Sequence, residues 1–384
     1  MRYEFTADEK ALIKAARKFT KQEVLPEAAA WERKGKLPKN ALRAVSKAGF
    51  GLVLLPQEHG GPGLRYLVAA RIEEEIAAGS LSLALPLFAH NYVGWSIAEH
   101  GTPAHRKAYL PKMLKGESLG IFCLTEPQSG SDAAAITTTA ERKGKGWRIS
   151  GEKSWITMAG QADFYIVYAQ TKPGSGAKGI ALFLVDGKTK GIDVVPSYDM
   201  LGGNALGMAG VRFKNCTVPE DCMLIPPGKG LQAAFAAIDV ARASVASMCC
   251  GLLRAGLEEA TAYVAKRQAF GGPVARFQGV QWMLADVATN LEAARLLADK
   301  AWTDLEKGER ASAAAAHAKK FATRVALSGL ADCMQVMGAN GMKDDYVVGR
   351  HLVAAKMAQY LDGATEIQNV VISRDLFGPY GIKG

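Results

Sequence analysis

The chain has 384 residues, of which 49% are hydrophobic and 22% are charged. This composition is that of a globular protein with a large core, and the length allows two or three domains. The formal net charge is +10, but Lys and Arg alternate with Glu and Ala and form no blocks, which argues against a nucleic-acid-binding protein.

The six cysteines include no Cys-x-x-Cys pair, so we expect neither a disulfide framework nor a zinc site. The N-terminus has no apolar signal region, and no run of about 18 apolar residues occurs. We therefore expect a soluble, cytoplasmic protein with reduced thiols, no metal and no membrane segment.

Residues 1–117 have the pattern of an all-α domain. Thr6 and Glu9 form a capping box, and apolar residues at helical spacing predict a helix that continues to Val24 and is ended by Pro26. Further helices are predicted over residues 39–48, 67–78, 82–100 and 103–115.

Between residues 118 and 228 the hydrophobic period changes to about two, as in strands such as Asp163–Tyr168 and Ile180–Val185. Glycines at the turns predict hairpins, so this part is expected to be an antiparallel β domain. From residue 229 to 384, long Ala-rich helices are predicted over 231–267, 278–307, 311–337 and 345–359, which is typical of a four-helix bundle. The predicted fold class is α+β, with an N-terminal all-α domain, a central antiparallel β domain and a C-terminal four-helix bundle.

One carboxylate near the C-terminus is unusual. Asp362 lies beside Gly363 in the segment Gln359–Gln368, which leads into the apolar residues Val370–Ile372. Solvation alone does not explain a carboxylate in this apolar context. We interpret Asp362 as the catalytic base of a flavin enzyme; the alternative is that it caps a helix in an inactive protein.

Five sequence elements resemble motifs of the acyl-CoA dehydrogenase family. They are Cys123–Asp132 (CLTEPQSGSD), Gly151–Thr157 (GEKSWIT), Arg267–Gly271 (RQAFG) with Phe277 and Gln278, Gln335–Gly341 (QVMGANG) and Gly363–Gln368 (GATEIQ). Each motif is weak alone, but the five occur in the family's order and spacing. With the helices that precede them, the resemblance covers essentially the whole chain.

The resemblance implies that the chain binds FAD and forms a homotetramer that shares its cofactor sites between subunits. The residues it assigns to FAD are Cys123, Leu124, Thr125, Ser131, Trp155, Ile156, Thr157, Arg267, Phe270, Gln278, Gln335, Gly338, Ala339, Ala364 and Glu366. Among them, Arg267 and Gln278 would contact the pyrophosphate and ribose. Gln335 and Gly338 would hold the ADP half of a neighbouring subunit's FAD.

For the acyl-CoA substrate, the resemblance implies contacts from Ser131, Asp239, Arg242, Leu361 and Gly363, and we expect Asn91 to line the acyl pocket. In the implied reaction, the base removes the α-proton of a thioester while a β-hydride passes to flavin N5, which gives an enoyl-CoA. A backbone N–H of the catalytic segment and a ribityl hydroxyl would polarise the carbonyl. The electrons would pass to an electron-transfer flavoprotein.

The chain departs from the family pattern at the base itself. The family usually has Tyr-Glu-Gly-Thr where this chain has Leu361–Ala364, so the carboxylate of Asp362 lies roughly 1.5 Å further back. Some relatives carry Glu on the helix before Arg242, but the corresponding residue here is Ala241. Asp362 is therefore the only candidate base in a known position.

An Asp at this position is similar to two branches of the family. One comprises alicyclic acyl-CoA dehydrogenases, which act on cyclohexane- or cyclohexene-carboxyl-CoA, and the other is nitroalkane oxidase. Asp239 and Arg242 favour a CoA thioester over a nitroalkane, and the shorter Asp base favours a ring or branched acyl group. A nitroalkane-oxidase-like flavin oxidase and an inactive homologue that binds FAD or acyl-CoA remain alternatives.

Overall fold

A computed structural model of the chain describes residues 4–382. Its N-terminal part contains helices α1 to α6, which span Ala7–Phe19, Leu25–Lys34, Lys39–Lys47, Tyr66–Ala77, Leu81–His100 and Pro103–Leu114. The predicted capping box is confirmed, because the N–H of Glu9 donates to Thr6 Oγ1 (3.2 Å) and the N–H of Thr6 donates to Glu9 Oε2 (2.8 Å).

The prediction that Pro26 ends the first helix is wrong. A π-helical turn, Thr20–Val24, joins α1 directly to α2, and Pro26 lies in the first turn of α2. A proline is tolerated there because its missing N–H has no partner within the helix at that position. The helix ends instead at Gly35, whose φ of 60° is a left-handed conformation that glycine adopts without strain.

The central part is one twisted sheet. Its strands β1 to β8 span Gly120–Cys123, Thr139–Lys143, Gly146–Ile156, Phe164–Gln170, Ile180–Asp186, Ile192–Val194, Ala209–Pro219 and Met223–Ile225. The order is β6-β7-β3-β2-β4-β5-β8, and β1 also pairs with β4. Most pairs are antiparallel as predicted, but β1 runs parallel to β4, and β2 touches β4 in parallel at one position. The pairing of β1 is parallel because a long connection separates the two strands, so no tight hairpin fixes their direction.

The C-terminal part is helical again. Helices α7 to α11 span Gly230–Lys266, Gln278–Glu306, Ser312–Val336, Val347–Ala358 and Thr365–Phe377. Helices α7 to α10 pack against one another as the predicted bundle, and α11 packs on α9. A short hairpin, β9 (Gln268–Ala269) with β10 (Gly272–Pro273), connects α7 to α8.

Helix α7 is the one helix of residues 4–382 that is long and apolar enough to cross a membrane by length and composition. In the structure, 72% of its most apolar window is buried. It contacts α4, α8, α9 and α10. Its hydropathy is therefore what the central helix of a bundle requires.

Helix α5 positions one wall of the functional site. Almost all of its residues are buried, because it lies between α4 and α6 of its own region, β1 of the sheet and α7 of the bundle. A helix that is apolar on every face is stable only when it is enclosed in this way.

Candidate active site

A cleft of about 580 Å³ lies where α5, the sheet and the bundle meet, and its volume is typical of a small-molecule or cofactor site. The turn between α10 and α11 closes one side. The predicted site residues in its wall are Leu124, Thr125, Ser131, Trp155, Ile156, Thr157, Arg242, Leu361, Asp362, Gly363 and Ala364. The fold thus brings the central and C-terminal motifs to one cavity.

The cleft has further lining residues that the sequence did not indicate. On α5 these are Leu85, Phe88 and Ala89, which share one face of the helix. The flexible side chains of Met200 and Met208 lie in the wall as well. Because α5 is buried on all faces, no hydrophobic periodicity distinguishes its cleft-facing side.

Asp362 has an uncommon backbone conformation. Its φ is 50°, and Gly363 follows with a φ of 93°; positive φ is rare for residues other than glycine and often occurs at functional sites. Nε of Arg242 donates to the carbonyl oxygen of Asp362 (3.2 Å), and Nε2 of Gln368 donates to that of Gly363 (2.7 Å). These donors hold the turn in place while the Asp362 side chain lines the cleft.

The carboxyl group of Asp362 does not cap a helix. Ala364 is the N-terminal cap of α11, without a side-chain hydrogen bond. Burial raises the pKa of Asp362 from 3.8 to about 6, although the charges of Lys319 and Arg242 act in the opposite direction. The group is therefore ionised at neutral pH and still basic enough to take up a proton.

Lys319 is a residue of this site that the sequence reasoning missed. Its fully buried side chain extends from α9, and Nζ donates to the carbonyl oxygens of Gly363 (2.7 Å) and Gln359 (3.3 Å). In the sequence, Lys319 is one of two adjacent lysines in an Ala-rich helix. Such a pair is typical of a solvent-exposed helix face, so the pattern does not indicate that Lys319 is buried.

A smaller cavity adjoins the cleft at Asp362. Its aromatic lining residues are Phe88, Tyr92, Phe122 and Tyr168. The hydroxyl oxygens of Tyr92 and Tyr168 are 2.5 Å apart and hydrogen-bonded. Ala241 lines the same cavity, so the second position considered for a base faces Asp362 but carries no carboxylate.

Two predicted site residues lie behind the wall, contrary to our expectation. The side-chain amide of Asn91 donates to the carbonyl oxygens of Gly51 and Leu87 (both 2.8 Å), and its oxygen accepts from the N–H of Leu54 (2.9 Å). Asn91 therefore stabilises the preceding loop and does not line the cleft. Cys123 is fully buried in the core, where burial raises the pKa of its thiol to about 12.

Asp239 also lies outside the lining of the cleft, and its contact with substrate stays a prediction. Its carboxylate accepts from Nη1 of Arg242 (3.0 Å) and from Oγ of Ser312 (2.5 Å). Arg242 does line the cleft. Asp239 consequently orients the guanidinium group that faces the cavity.

The remaining residues assigned to FAD lie outside the cleft of this chain. They are Arg267, Phe270, Gln278, Gln335, Gly338, Ala339 and Glu366, and all of them are exposed. Phe270 is 87% exposed at the tip of the β9–β10 hairpin, with a φ of 53°. A single chain does not bring these residues to the cavity that the other motifs form.

The cleft has the features that a flat, polar-edged ring such as the flavin of FAD requires. Trp155, with a φ of 59°, is 58% exposed in the cleft wall, and its ring is 4.7 Å from that of Tyr198. Within residues 4–382, the hydroxyl groups of Thr125 and Thr157 have no hydrogen-bond partner, and both residues line the cleft. An apolar wall with unpaired polar groups beside it suits a heteroaromatic ring.

A buried ion pair supports this wall from behind. Nζ of Lys153 donates to Glu126 Oε1 (2.8 Å) and to the carbonyl oxygen of Leu124 (2.9 Å). Burial alone would raise the pKa of Glu126, but the Lys153 charge and several hydrogen bonds hold it at about 2. Because this pair ties β3 to the segment after β1, it fixes the relative positions of the cleft residues on both.

One group of residues has the composition of a metal site. His105, Asp221 and Cys222 are the only such cluster in the part of the chain that the structure describes. However, the N–H of Thr102 donates to Nδ1 of His105 (3.3 Å), so a neutral ring carries its proton on Nε2. That nitrogen faces Asp221 at 3.6 Å and has no lone pair for a metal.

Three domain models of the acyl-CoA dehydrogenase family match the sequence. The N-terminal domain matches residues 6–117, the middle domain residues 121–216 and the C-terminal domain residues 228–377. An acyl-CoA dehydrogenase of Bacillus subtilis (strain 168) is 34% identical over 374 residues, which cover 97% of this chain and 99% of that protein.

Solved structures give the same result. Butyryl-CoA dehydrogenase from Megasphaera elsdenii has a TM-score of 0.94 and 30% identity, with 98% of this chain and 100% of that chain covered. A glutaryl-coenzyme A dehydrogenase in complex with glutaryl-CoA also has a TM-score of 0.94, with 33% identity and coverage of 98% of this chain and 97% of that chain.

Proposed function

This chain belongs to the acyl-CoA dehydrogenase family and is an FAD-dependent enzyme of that family, and from this premise we propose that Asp362 is its catalytic base. Asp362 removes the α-proton of an acyl-CoA thioester while the β-hydrogen leaves as a hydride. The product is an α,β-unsaturated enoyl-CoA. FAD supplies the two-electron acceptor for the hydride.

The environment of Asp362 is the observation that carries this proposal. Its carboxyl group lines an apolar cleft, and its pKa is raised to about 6 by burial. Within residues 4–382 the carboxyl accepts no hydrogen bond, so its lone pairs are available to a substrate proton. A backbone N–H of the turn at residues 362–364 would donate to the thioester carbonyl, which stabilises the negative charge that develops there.

The residues assigned to FAD divide into two groups in this proposal. Trp155, Thr125 and Thr157 contact the flavin ring inside the chain's own cleft. The exposed residues, represented by Phe270 and Gln335, contact the FAD of a neighbouring copy. Their exposure on one chain supports such sharing, and a homotetramer would provide it.

For the substrate, we propose a ring or branched acyl group. The short side chain of Asp362 leaves room beside the base for a wide substrate, and the aromatic residues Phe88, Tyr92 and Tyr168 provide a broad apolar surface next to it. Arg242, oriented by Asp239, faces the cleft and favours an acyl-CoA over a nitroalkane.

The electron acceptor and the cellular location of the enzyme are also part of the proposal. We propose that electrons pass to an electron-transfer flavoprotein and that the protein is cytoplasmic. We also propose that the chain divides into three parts, 1–117, 118–228 and 229–384. The change from helix to sheet and back to helix along the chain supports this division.

Anaerobic titration tests the proposed function. The FAD-loaded protein is mixed with straight, branched, aromatic and alicyclic acyl-CoA thioesters, and the flavin absorbance is followed. We expect bleaching, fastest with a ring or branched thioester. Absence of bleaching with every thioester would exclude a dehydrogenase, and bleaching by nitroalkanes with hydrogen peroxide formed in air would instead identify an oxidase.

A further inference from the structure

The turn that carries Asp362 is held by a second buried cation in addition to Arg242. Nζ of Lys319 donates to the carbonyl oxygen of Gly363 at 2.7 Å and to that of Gln359 at 3.3 Å. One of these carbonyls lies three residues before Asp362 and the other one residue after it. The Lys319 side chain is fully buried on α9, so no water competes for its hydrogen bonds.

The Gln359 carbonyl needs such a donor, whereas the Gly363 carbonyl also accepts from Nε2 of Gln368 (2.7 Å). Gln359 is the cap at the end of α10, and the last carbonyls of a helix have no partner within it. The turn then continues through Asp362 and Gly363 with positive φ, so no regular backbone hydrogen bonding can hold it. Lys319 joins the end of α10 to the start of α11 across the residue that bears the base.

The same ammonium group is also the main positive charge acting on the Asp362 carboxyl. The charges of Lys319 and then of Arg242 lower the pKa of Asp362, against the larger effect of burial. Arg242 is already paired with Asp239, whereas Lys319 contacts carbonyl oxygens that carry no formal charge.

The other titratable groups around Lys319 do not supply a comparable charge next to the Asp362 carboxyl. The Cys249 thiol on α7 is buried with a pKa of about 12, so it is neutral. Glu366 on α11 is exposed to solvent, which screens its charge. Burial lowers the pKa of Lys319 itself to about 8, so its side chain is mainly protonated at neutral pH.

We propose that Lys319 is a positioning residue of the dehydrogenation: it fixes the turn that presents Asp362 and keeps the Asp362 carboxylate ionised inside the apolar cleft. This inference rests on the proposed role of Asp362 as the base. It assigns no contact with substrate to Lys319, which acts only through the turn and through its charge.

Removal of the Lys319 charge should change the pKa of Asp362 in one direction. Without Lys319, burial is opposed by Arg242 alone, so the pKa of Asp362 rises above its present value of about 6. A nearby opposite charge typically shifts a carboxyl by roughly one unit or more. At neutral pH a larger share of Asp362 is then protonated and unable to accept the α-proton.

The test uses Lys319→Met, which keeps the length of the side chain without its charge, and Lys319→Gln, which keeps an N–H donor. Lys320→Met, one position along α9, is the matched control. The pKa of Asp362 is measured by infrared titration of its carboxyl C=O band in the FAD-loaded protein, assigned by its loss in Asp362→Asn. The rate of flavin reduction is measured over the same pH range with the thioester that bleaches the native protein.

We expect both Lys319 variants to retain FAD while the pKa from the infrared titration, and the acid limb of the rate, move up by about one unit. Lys320→Met should leave both unchanged. An unshifted pKa in the two Lys319 variants would overturn the inference, as would failure of both to fold when Lys320→Met folds. The infrared titration needs no turnover, so it tests Lys319 even if no thioester reduces the flavin and the proposed function itself fails.

Discussion

The pH dependence of flavin reduction is the most direct test of the site. The pKa of Asp362 is raised from 3.8 to about 6, so about nine-tenths of the group is ionised at pH 7 and about one-tenth at pH 5. If the ionised form is the base, the rate at saturating acyl-CoA should fall about tenfold between these pH values. An unperturbed Asp would remain more than about nine-tenths ionised at pH 5, and the rate would barely change.

The assay is anaerobic stopped-flow measurement of flavin bleaching between pH 5 and pH 8. Asp362→Asn is the reference, because it keeps the size of the side chain but cannot accept the proton. We expect it to retain FAD and to be slower by about 10²- to 10⁴-fold, with no acid limb. A native rate that is equal at pH 5 and pH 7, or an acid limb that persists in Asp362→Asn, would refute the reasoning. The flavin absorbance spectrum at each pH serves as the control for an intact protein.

Three further outcomes are expected. Asp362→Glu moves the carboxylate forward by about 1.5 Å. The ratio of kcat/KM for a ring thioester to kcat/KM for a straight-chain thioester should fall by about 10²-fold. An unchanged ratio would contradict the proposed substrate. Trp155→Ala removes a ring contact and should weaken FAD binding, measured by flavin fluorescence titration, by about three- to tenfold. Trp282 on α8 is similarly exposed, and Trp282→Ala should have no effect. Lys153→Met leaves a buried carboxylate unpaired and should lower the free energy of unfolding, measured by urea titration, by about 3 kcal/mol. Lys214→Met removes an exposed ion pair and should change it by less than about 1 kcal/mol. Equal effects of the two substitutions would exclude a structural role for the buried pair.

The residues that could be predicted from the sequence belong to short, locally ordered segments. Trp155, Ile156 and Thr157 are consecutive, and the first two are the last residues of β3. Leu361 to Ala364 likewise lie in one turn. Within such a segment, the backbone alone decides which residues share a surface. The motifs therefore predicted the family, and three of the motif segments meet in the cleft.

The residues that could not be predicted depend on tertiary position. Phe88 lines the cleft from a helix that is apolar on every face, so its pattern carries no information about direction. Asn91 lies on the same helix, but its amide binds a loop around Leu54. A polar residue near a pocket looks the same in a sequence whether it faces a ligand or the backbone behind it.

The β1–β4 pairing and the position of Pro26 show a similar limit. The alternation of residues predicted strands correctly but contains no information on the direction of a strand whose partner is remote in the chain. The sequence predicts that a helix ends at Pro26, yet the preceding π-helical turn lets the helical chain continue through it. The direction of β1 thus depends on a strand that is remote in the sequence, whereas the helix continues at Pro26 because of an unusual turn immediately before it.

The separation of the cleft's walls has a consequence for how enzymes of this architecture can diverge. The carboxylate that we propose as the base belongs to the turn after α10, whereas part of the apolar surface comes from one face of α5 near Phe88. Phe88 and Asp362 line the same small cavity, and burial sets the pKa of Asp362. A substitution on α5 that changes the shape of this cavity would therefore also change the basicity of the carboxylate. Substrate selectivity and the strength of the proposed base are thus coupled, although the residues that determine them are far apart in the sequence.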